Sequence, residues 1–182
     1  MKDLFVLTAD ADMQAVFRVI FDRPDALGIR PISSNVDRHV NRDPGVFGDG
    51  PEFIRRTIPK NDYHRFILAF DHHGSGCNRP PEECAGTVRE RLDSFTFKDR
   101  SAVVVIAPEL EEWLWHDPTA ITNRVEIDPT SDPKERLRRV FKRKPLPRDF
   151  EQIAARANLQ AWDSSPSFRI MKTTLQNWFP RP

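Results

Sequence analysis

The sequence predicts an α/β protein in which a mostly parallel β-sheet is flanked by helices and followed by a helical C-terminal extension. Up to about residue 116, apolar runs alternate with segments of helical periodicity. Unbroken apolar runs are typical of strands buried on both faces of a parallel sheet, and alternating strands and helices are typical of an α/β fold. Beyond that point the strand signal disappears and helical segments follow.

The clearest strand segments are LFVLT, HRFILAF and SAVVVIA, at residues 4–8, 64–70 and 101–107. The last is rich in β-branched residues, which favour strands. Residues 29–33 are a weaker candidate for a further strand, and residues 39–46 are predicted to form a loop.

Helices are predicted where apolar side chains recur at helical spacing. The first covers residues 11–21, and either Asp10 or Asp12 could cap it. The other predicted helices cover residues 51–58, 81–95, 109–115, 133–144, 149–159 and 166–179.

Composition limits the function classes. The 182 residues fit one domain, with a sheet core at about 1–116 and the extension at about 117–182. A net charge of +1 gives no global electrostatic case for nucleic-acid binding. Cys77 and Cys84 lack the spacing of a zinc finger or a disulfide scaffold. No apolar run reaches the roughly 18 residues of a membrane span, so we expect a cytoplasmic protein with no membrane partner.

Acidic side chains follow three of the predicted strands: Asp10 and Asp12, then Asp71, then Glu109, Glu111 and Glu112. Ligands of open α/β sheets collect outside the carboxyl ends of the strands. Neighbouring strands are only about 4.8 Å apart, so these carboxylates are expected to converge. Oxygen ligands select Mg²⁺ or Mn²⁺, and such ions promote phosphodiester hydrolysis.

Each acidic residue also has a plain structural interpretation. Asp10 and Asp12 are as well explained by helix capping. Glu109 and Glu111 do not share a helical face, so both reach one metal only if the chain there is extended. His73, beside Asp71, could act as a general base or metal ligand, although a solvated loop histidine is the commoner case.

The segments TADAD, FILAFDHHGSG and PELEEWLW occur in an order that resembles the Toprim-like family of prokaryotic anti-phage defence islands. The chain is similar in particular to a component of methylation-associated defence systems. The matching pieces are residues 9–13, 27–32, 42–45, 70–76, 108–115 and 175–179.

The resemblance implies a Toprim-like fold in which Asp71 and Glu111 ligate Mg²⁺ and Glu109 supports them. The chain departs from the family pattern at two positions. Ala9 stands where Toprim domains have a catalytic glutamate, and His73 stands in place of the second acid of an Asp-x-Asp pair. Asp10 and His73 are the expected catalytic substitutes.

The resulting hypothesis is a metal-dependent nuclease or phosphoryl-transfer component of a defence system, with DNA and other defence proteins as partners. The alternatives are a non-catalytic assembly or regulatory module with a degenerate acidic site, and a Mg²⁺-dependent phosphatase acting on a nucleotide.

A basic segment supplies the candidate DNA contact. Residues 134–148 hold eight basic residues and one acid. The segment is expected to bind phosphates through Arg138, Arg139, Lys142 and Arg143. The alternative is a solvated helix whose apolar side chains face the core.

Overall fold

A computed structural model describes residues 1–59, 61–95, 97–122 and 130–182. Its centre is a four-stranded sheet in the order β2-β1-β3-β4, in which every pair of neighbours is parallel. The strands are β1 (Lys2–Thr8), β2 (Ser34–Arg38), β3 (Tyr63–Asp71) and β4 (Ser101–Ile106). The predicted α/β class, with a parallel sheet flanked by helices and a helical C-terminal region, is confirmed.

Eight α-helices are described: α1 (Ala11–Phe21), α2 (Pro24–Leu27), α3 (Arg42–Thr57), α4 (Pro81–Ser94), α5 (Glu111–Trp115), α6 (Pro133–Phe141), α7 (Pro147–Arg156) and α8 (Pro166–Trp178). Short 3₁₀ turns lie at Lys98–Arg100, Pro118–Ala120 and Ala161–Ser164. The predicted strands β1, β3 and β4, the helices α1 and α4, and the three C-terminal helices are therefore confirmed, apart from small differences at their ends.

The strand order creates a switch point between β1 and β3. The connection from β1 leads to β2 on one side, whereas the chain returns through α3 to place β3 on the other side of β1. Right-handed crossovers that run in opposite directions put their helices on opposite faces of the sheet. Such a switch point opens a crevice at the carboxyl ends of the strands, where open α/β sheets bind ligands.

The predicted strand at residues 29–33 is wrong, because β2 begins at Ser34. Ile29 makes only an isolated antiparallel bridge with Pro180. Pro31 lacks a backbone N–H and so suits the middle of such a strand poorly. The segment Ser34–Arg38 instead pairs in register with β1, from Leu4 opposite Ser34 to Thr8 opposite Arg38.

The predicted loop at residues 39–46 is also wrong over most of its length, because α3 begins at Arg42 and contains Pro51 within it. Proline cannot donate the helical hydrogen bond to the carbonyl four residues earlier, here that of Phe47. The Arg91 side chain of α4 donates to this carbonyl at 3.2 Å and to that of Gly48 at 2.7 Å. A tertiary contact thus replaces the helical bond that Pro51 cannot make.

The C-terminal helices pack onto the sheet layer through aromatic rings. Trp113 of α5 lies 5.7 Å from Phe17 of α1 and 5.1 Å from Phe168 of α8, measured between ring centroids. Its indole N–H also donates to Ser167 Oγ at 2.8 Å. Within the described parts of the chain, no helix is long and apolar enough to cross a membrane.

Candidate active site at the carboxyl ends of the strands

The strand register places Asp10 and Asp71 at the same height along the strand direction. Thr8 of β1 lies opposite Ala69 of β3, and Asp10 and Asp71 each lie two residues further on. Asp71 in turn lies opposite Ile106, the last residue of β4. The predicted convergence at the carboxyl end of the sheet therefore follows from the pairing of β1, β3 and β4.

These residues surround a small cavity of about 20 Å³. Its walls are formed by Asp10, Asp12, Asp71, Leu110, Glu111, Lys134 and Phe150. A space of this size accommodates about one water molecule. The cavity is therefore a meeting point of charged side chains and not a pocket for a substrate.

Asp71 has two structural contacts at the end of β3. One of its carboxylate oxygens accepts a hydrogen bond from the Leu110 backbone N–H at 2.9 Å. Its own backbone N–H donates to Asp43 Oδ1 at 2.7 Å. Burial raises the pKa of Asp71 well above its ordinary value, and the charges of Asp43, Glu111, Asp10 and Glu109 raise it further.

Asp43 is a member of the site that sequence reasoning missed. It lies in the first turn of α3, in a segment that was predicted to be a loop. Burial raises its pKa, the hydrogen bond from the Asp71 backbone lowers it, and the charge of Asp10 raises it. Its one signal in the sequence is the RDPG segment, which belongs to the family resemblance.

Glu111 and Asp12 approach the cavity from the starts of α5 and α1. Burial raises the pKa of Glu111 to about 7, against an opposing effect of Lys134. Burial, together with the charge of Asp10, raises the pKa of Asp12 to about 6. Near neutral pH these two carboxyl groups therefore exchange protons with solvent.

Asp10 caps a helix and also lies at the cavity. Its side chain accepts from the Met13 backbone N–H at 2.9 Å and so caps α1, and it also lines the small cavity. The capping interpretation is confirmed for Asp10, whereas the described cap bond of α1 does not involve Asp12.

The acidic residues gathered here are called the acidic group below: Asp10, Asp12, Asp43, Asp71, Glu109 and Glu111. A cation from the C-terminal region lies within this group. Lys134 Nζ is 3.5 Å from Glu109 Oε2. Burial lowers the pKa of Lys134, but the carboxylates of Glu111, Glu109 and Asp71 outweigh this effect and raise it. From the sequence, Lys134 was expected to belong to the basic segment of residues 134–148, so its position among the acids was not predicted.

The histidines after β3 are placed differently from each other. His73 is exposed, and its Nδ1 lies 4.0 Å from Glu109 Oε1. His72 Nε2 instead contacts the Arg79 carbonyl at 2.8 Å. Glu112 points away from the cavity and contacts His116 at 2.5 Å and Ser165 Oγ at 3.0 Å. His73 is thus the histidine that adjoins the acidic group.

The donor atoms fit a hard divalent cation, because carboxylate oxygens are the ligands that Mg²⁺ and Mn²⁺ prefer. The arrangement does not yet form such a site: among the described residues, no group of three or more His, Cys, Asp or Glu side chains is placed to hold a metal ion. The Lys134 ammonium supplies positive charge to the group instead. A metal ion must therefore compete with Lys134.

The loop after β3 is fastened by a disulfide between Cys77 and Cys84, which joins it to the first turns of α4. The sequence spoke only against a disulfide scaffold, and this single bond was not predicted; it forms because the turn at residues 74–80 brings the two cysteines together. Ser75 is buried, donates to the His72 carbonyl at 2.8 Å and accepts from the Cys77 backbone N–H at 3.1 Å. These contacts fix the conformation of the loop beside Asp71.

The basic segment does not present all of its charge to solvent. Arg138 pairs with Glu135, and Arg143 makes two hydrogen bonds to Asp149, at 2.7 and 2.9 Å. Arg139 and Lys142 are exposed, like the other two arginines. Buried Leu137 agrees with the helix-face alternative, and phosphate binding by Arg138, Arg139, Lys142 and Arg143 remains a prediction.

Comparison of the chain with protein-family models, with curated proteins and with solved structures gives no match.

Proposed function

We propose that the acidic group is the active site of a metal-dependent nuclease or phosphoryl-transfer component of a prokaryotic anti-phage defence system. One observation carries the proposal: Asp10, Asp71 and Glu111 leave three separate segments and line one cavity at the carboxyl end of a parallel sheet. Asp71 and Glu111 are buried and have raised pKa values. Collecting acids in this way is costly for folding unless a cation is part of the function.

Asp71 and Glu111 would hold the ion, with Glu109 supporting them. A bound Mg²⁺ or Mn²⁺ supplies activation of water and stabilisation of a leaving phosphate oxygen. Asp10 is held rigidly by its capping bond to Met13, so its second oxygen is free to orient a water molecule. His73 lies at the exposed side of Glu109, where it would be the candidate general base.

The alternative is a non-catalytic assembly or regulatory module of a defence system, and one observation favours it. Lys134 already neutralises part of the acidic group from within the chain. In this case the charges only hold α6 against the carboxyl end of the sheet. Both functions would operate in the cytoplasm, with other defence proteins as partners.

Mn²⁺ titration of three proteins by calorimetry separates the two functions. If Lys134 competes with the metal, Lys134→Gln binds Mn²⁺ at least about tenfold more tightly than the wild type, a change of about 1.4 kcal/mol. Asp71→Asn loses binding. Lys98→Gln removes an exposed lysine outside the site and is the matched control.

The same proteins are then assayed for Mn²⁺-dependent cleavage of linear and circular DNA, single- and double-stranded. The enzyme proposal expects cleavage that Asp71→Asn abolishes. Absence of Mn²⁺ binding to both the wild type and Lys134→Gln at millimolar metal would leave the non-catalytic module as the function.

DNA is the proposed macromolecular partner, and backbone contacts are its expected mode of binding. Log affinity then falls with log salt by about 0.9 for each phosphate neutralised on duplex DNA. Changing Arg138, Arg139, Lys142 and Arg143 to glutamine is expected to flatten this slope. An unchanged slope would show that DNA, if bound, does not contact the basic segment.

A further inference from the structure

A second and much larger cleft adjoins the acidic group. Its volume is about 570 Å³, and it shares Asp10 and Asp12 with the small cavity. Its remaining walls come from the turn between β2 and α3 and from the turn between α6 and α7: Arg38, His39, Val40 and Arg42, then Lys144, Pro145, Leu146 and Pro147. This volume lies in the range of small-molecule sites, about 300–1,000 Å³.

Three cationic side chains line the cleft, two from the turn before α3 and one from the turn after α6. Arg38 ends β2, Arg42 begins α3, and Lys144 follows α6. All three side chains are exposed, and within the described part of the chain they form no hydrogen bond or ion pair. Arg42 and Lys144 are near enough to Asp12 to offset part of its charge. The cleft therefore offers three available cations beside two acids.

Two exposed apolar side chains also line the cleft, one from each turn. Val40 is 84% exposed and Leu146 is 43% exposed, and Pro145 and Pro147 flank the latter. Apolar side chains of this kind are ordinarily turned inwards in a small protein. Two of them facing one cleft offer a surface on which a flat ring can lie.

The fold enforces the position of Val40. The neighbouring His39 is buried, and its Nδ1 accepts a hydrogen bond from the Asn41 backbone N–H at 3.1 Å. Its ring lies so close to Gly45 that a Cβ atom there would be 2.0 Å from Nδ1. Because His39 is fixed inwards, Val40 is held outwards into the cleft, and Arg42 follows in a left-handed conformation with φ of +53°.

We propose that this cleft binds a nucleoside monophosphate, with its phosphate on Arg38, Arg42 and Lys144 and its base against Val40 and Leu146. A ligand that is anionic at one end and flat and apolar at the other matches the cations and the exposed apolar side chains of the cleft. The hydroxyl groups of its sugar suit the carboxylate oxygens of Asp10 and Asp12 as hydrogen-bond acceptors.

The inference deepens the proposed function and rests on it for the chemistry, because Asp10 and Asp12, which would contact the sugar of the ligand, also line the small cavity of the acidic group. The substrate class is then a nucleotide, either free or as the terminal residue of a strand. The recognition itself depends only on the cleft, so it can be tested without turnover.

The test is calorimetric titration of the metal-free protein with AMP, GMP, CMP and UMP, and in parallel with inorganic phosphate and adenosine. At least one nucleotide is expected to bind about tenfold or more tightly than either phosphate or adenosine, because only the nucleotide contacts both the cations and the apolar side chains of the cleft. Failure of all four nucleotides to bind at millimolar concentration overturns the inference. So does phosphate binding as tightly as the best nucleotide.

Three variants locate the binding. Arg42→Asn, which tolerates the left-handed conformation, and Lys144→Gln are each expected to weaken nucleotide binding about tenfold by removing a charged contact to phosphate. Val40→Ser is expected to weaken nucleotide binding and to leave phosphate binding unchanged. Arg56→Gln removes an exposed arginine outside the cleft and should have no effect on nucleotide binding. Equal binding by the wild type and the three cleft variants would place the nucleotide elsewhere and overturn the inference.

Asp71→Asn separates this inference from the proposed function. It is expected to retain nucleotide binding while losing Mn²⁺ binding. Mn²⁺ binding and DNA cleavage without nucleotide binding would refute the nucleotide site alone. Nucleotide binding without any Mn²⁺ binding would instead refute the metal-dependent enzyme and leave the cleft as the site of a regulatory ligand.

Discussion

Asp71 joins three parts of the molecule at one residue. Its carboxylate holds the Leu110 N–H at the start of α5, its backbone N–H holds Asp43 of α3, and it ends β3. The same carboxylate is close to several other acids, which raise its pKa. Asp71 therefore stabilises the fold as a hydrogen-bond acceptor and destabilises it as a charge.

The two effects can be separated by substitution. Asp71→Asn keeps an oxygen for the Leu110 N–H and removes the charge, so we expect the free energy of unfolding at pH 7.5 to rise by about 1 kcal/mol. Asp71→Ala leaves the Leu110 N–H without its acceptor and is expected to lose about 1–3 kcal/mol. Urea denaturation measures both. A loss of stability in Asp71→Asn comparable to that in Asp71→Ala would contradict this account of the charge.

Glu111 gives the acidic group a measurable pH dependence. Its pKa rises from an ordinary 4.5 to about 7 on folding, so the folded state binds this proton more tightly than the unfolded state. The contribution of Glu111 to the free energy of unfolding is then expected to fall as pH rises from about 4.5 to about 7. Glu111→Gln lacks this proton. Its stability relative to the wild type is expected to rise across that window by on the order of 2 kcal/mol.

Thermal or urea unfolding at half-unit steps of pH checks this expectation, and Glu135→Gln, at an exposed helix position, serves as control. A stability difference between Glu111→Gln and the wild type that does not change with pH would mean that the Glu111 carboxyl is ionised throughout.

At the scale of elements, α3 shows how a helix of low propensity can be held by its neighbour. Arg91 supplies donors to the carbonyls of Phe47 and Gly48 around Pro51. Arg91→Ala is expected to cost about 1–3 kcal/mol, because both carbonyls lose their side-chain donor, and that of Phe47 loses it in a partly buried position. In a Pro51→Ala background the helix can supply an N–H to Phe47, so the cost of Arg91→Ala should be smaller.

A double-mutant cycle on urea denaturation measures this coupling. Equal costs of Arg91→Ala in both backgrounds would show that its interaction with Glu52, also present in the structure, accounts for its whole contribution.

The strands and helix α3 differ in how well the sequence predicts them. Strands β1, β3 and β4 can be predicted from the sequence, because both of their faces are buried and their sequences are therefore continuously apolar. Strand β2, with the sequence SNVDR, has one fully buried residue, Val36, and carries no such signal. Helix α3 contains three glycines and two prolines, and its stability comes from tertiary contacts that local propensity does not record.

The candidate site was predictable where its residues follow the clearly apolar strands, and not where helix packing brings them in. Asp10, Asp71, Glu109 and Glu111 follow predictable strands, and a parallel sheet brings such residues to one edge. Asp43 and Lys134 arrive from α3 and α6, whose positions are set by packing and not by strand order. The disulfide between Cys77 and Cys84 likewise depends on a turn whose geometry the sequence does not show.

At the scale of the whole molecule, the aromatic contacts predict that the C-terminal helices unfold together with the sheet. Phe168 of α8 is fully buried against Trp113 and Trp162. Phe168→Ala is therefore expected to cost about 3–5 kcal/mol, whereas Ile170→Ala on the same helix, which is 57% exposed, should change stability by less than about 0.5 kcal/mol.

Far- and near-ultraviolet circular dichroism, recorded through the same urea titration, test the cooperativity. Coincident transitions are expected for the wild type and for Phe168→Ala. A separate early transition in Phe168→Ala would show that α8 is an independently unfolding unit.

The position of Lys134 also determines how the acidic group would respond to metal in its surroundings. A lysine attached to the chain is a competitor whose local concentration is fixed by the fold and is independent of dilution. The apparent affinity of the proposed site for a divalent ion would scale with the fraction of molecules in which the ammonium is disengaged from the acids. Half-saturation would then require more metal than the carboxylates alone would need, and α6, which carries Lys134, would set that concentration.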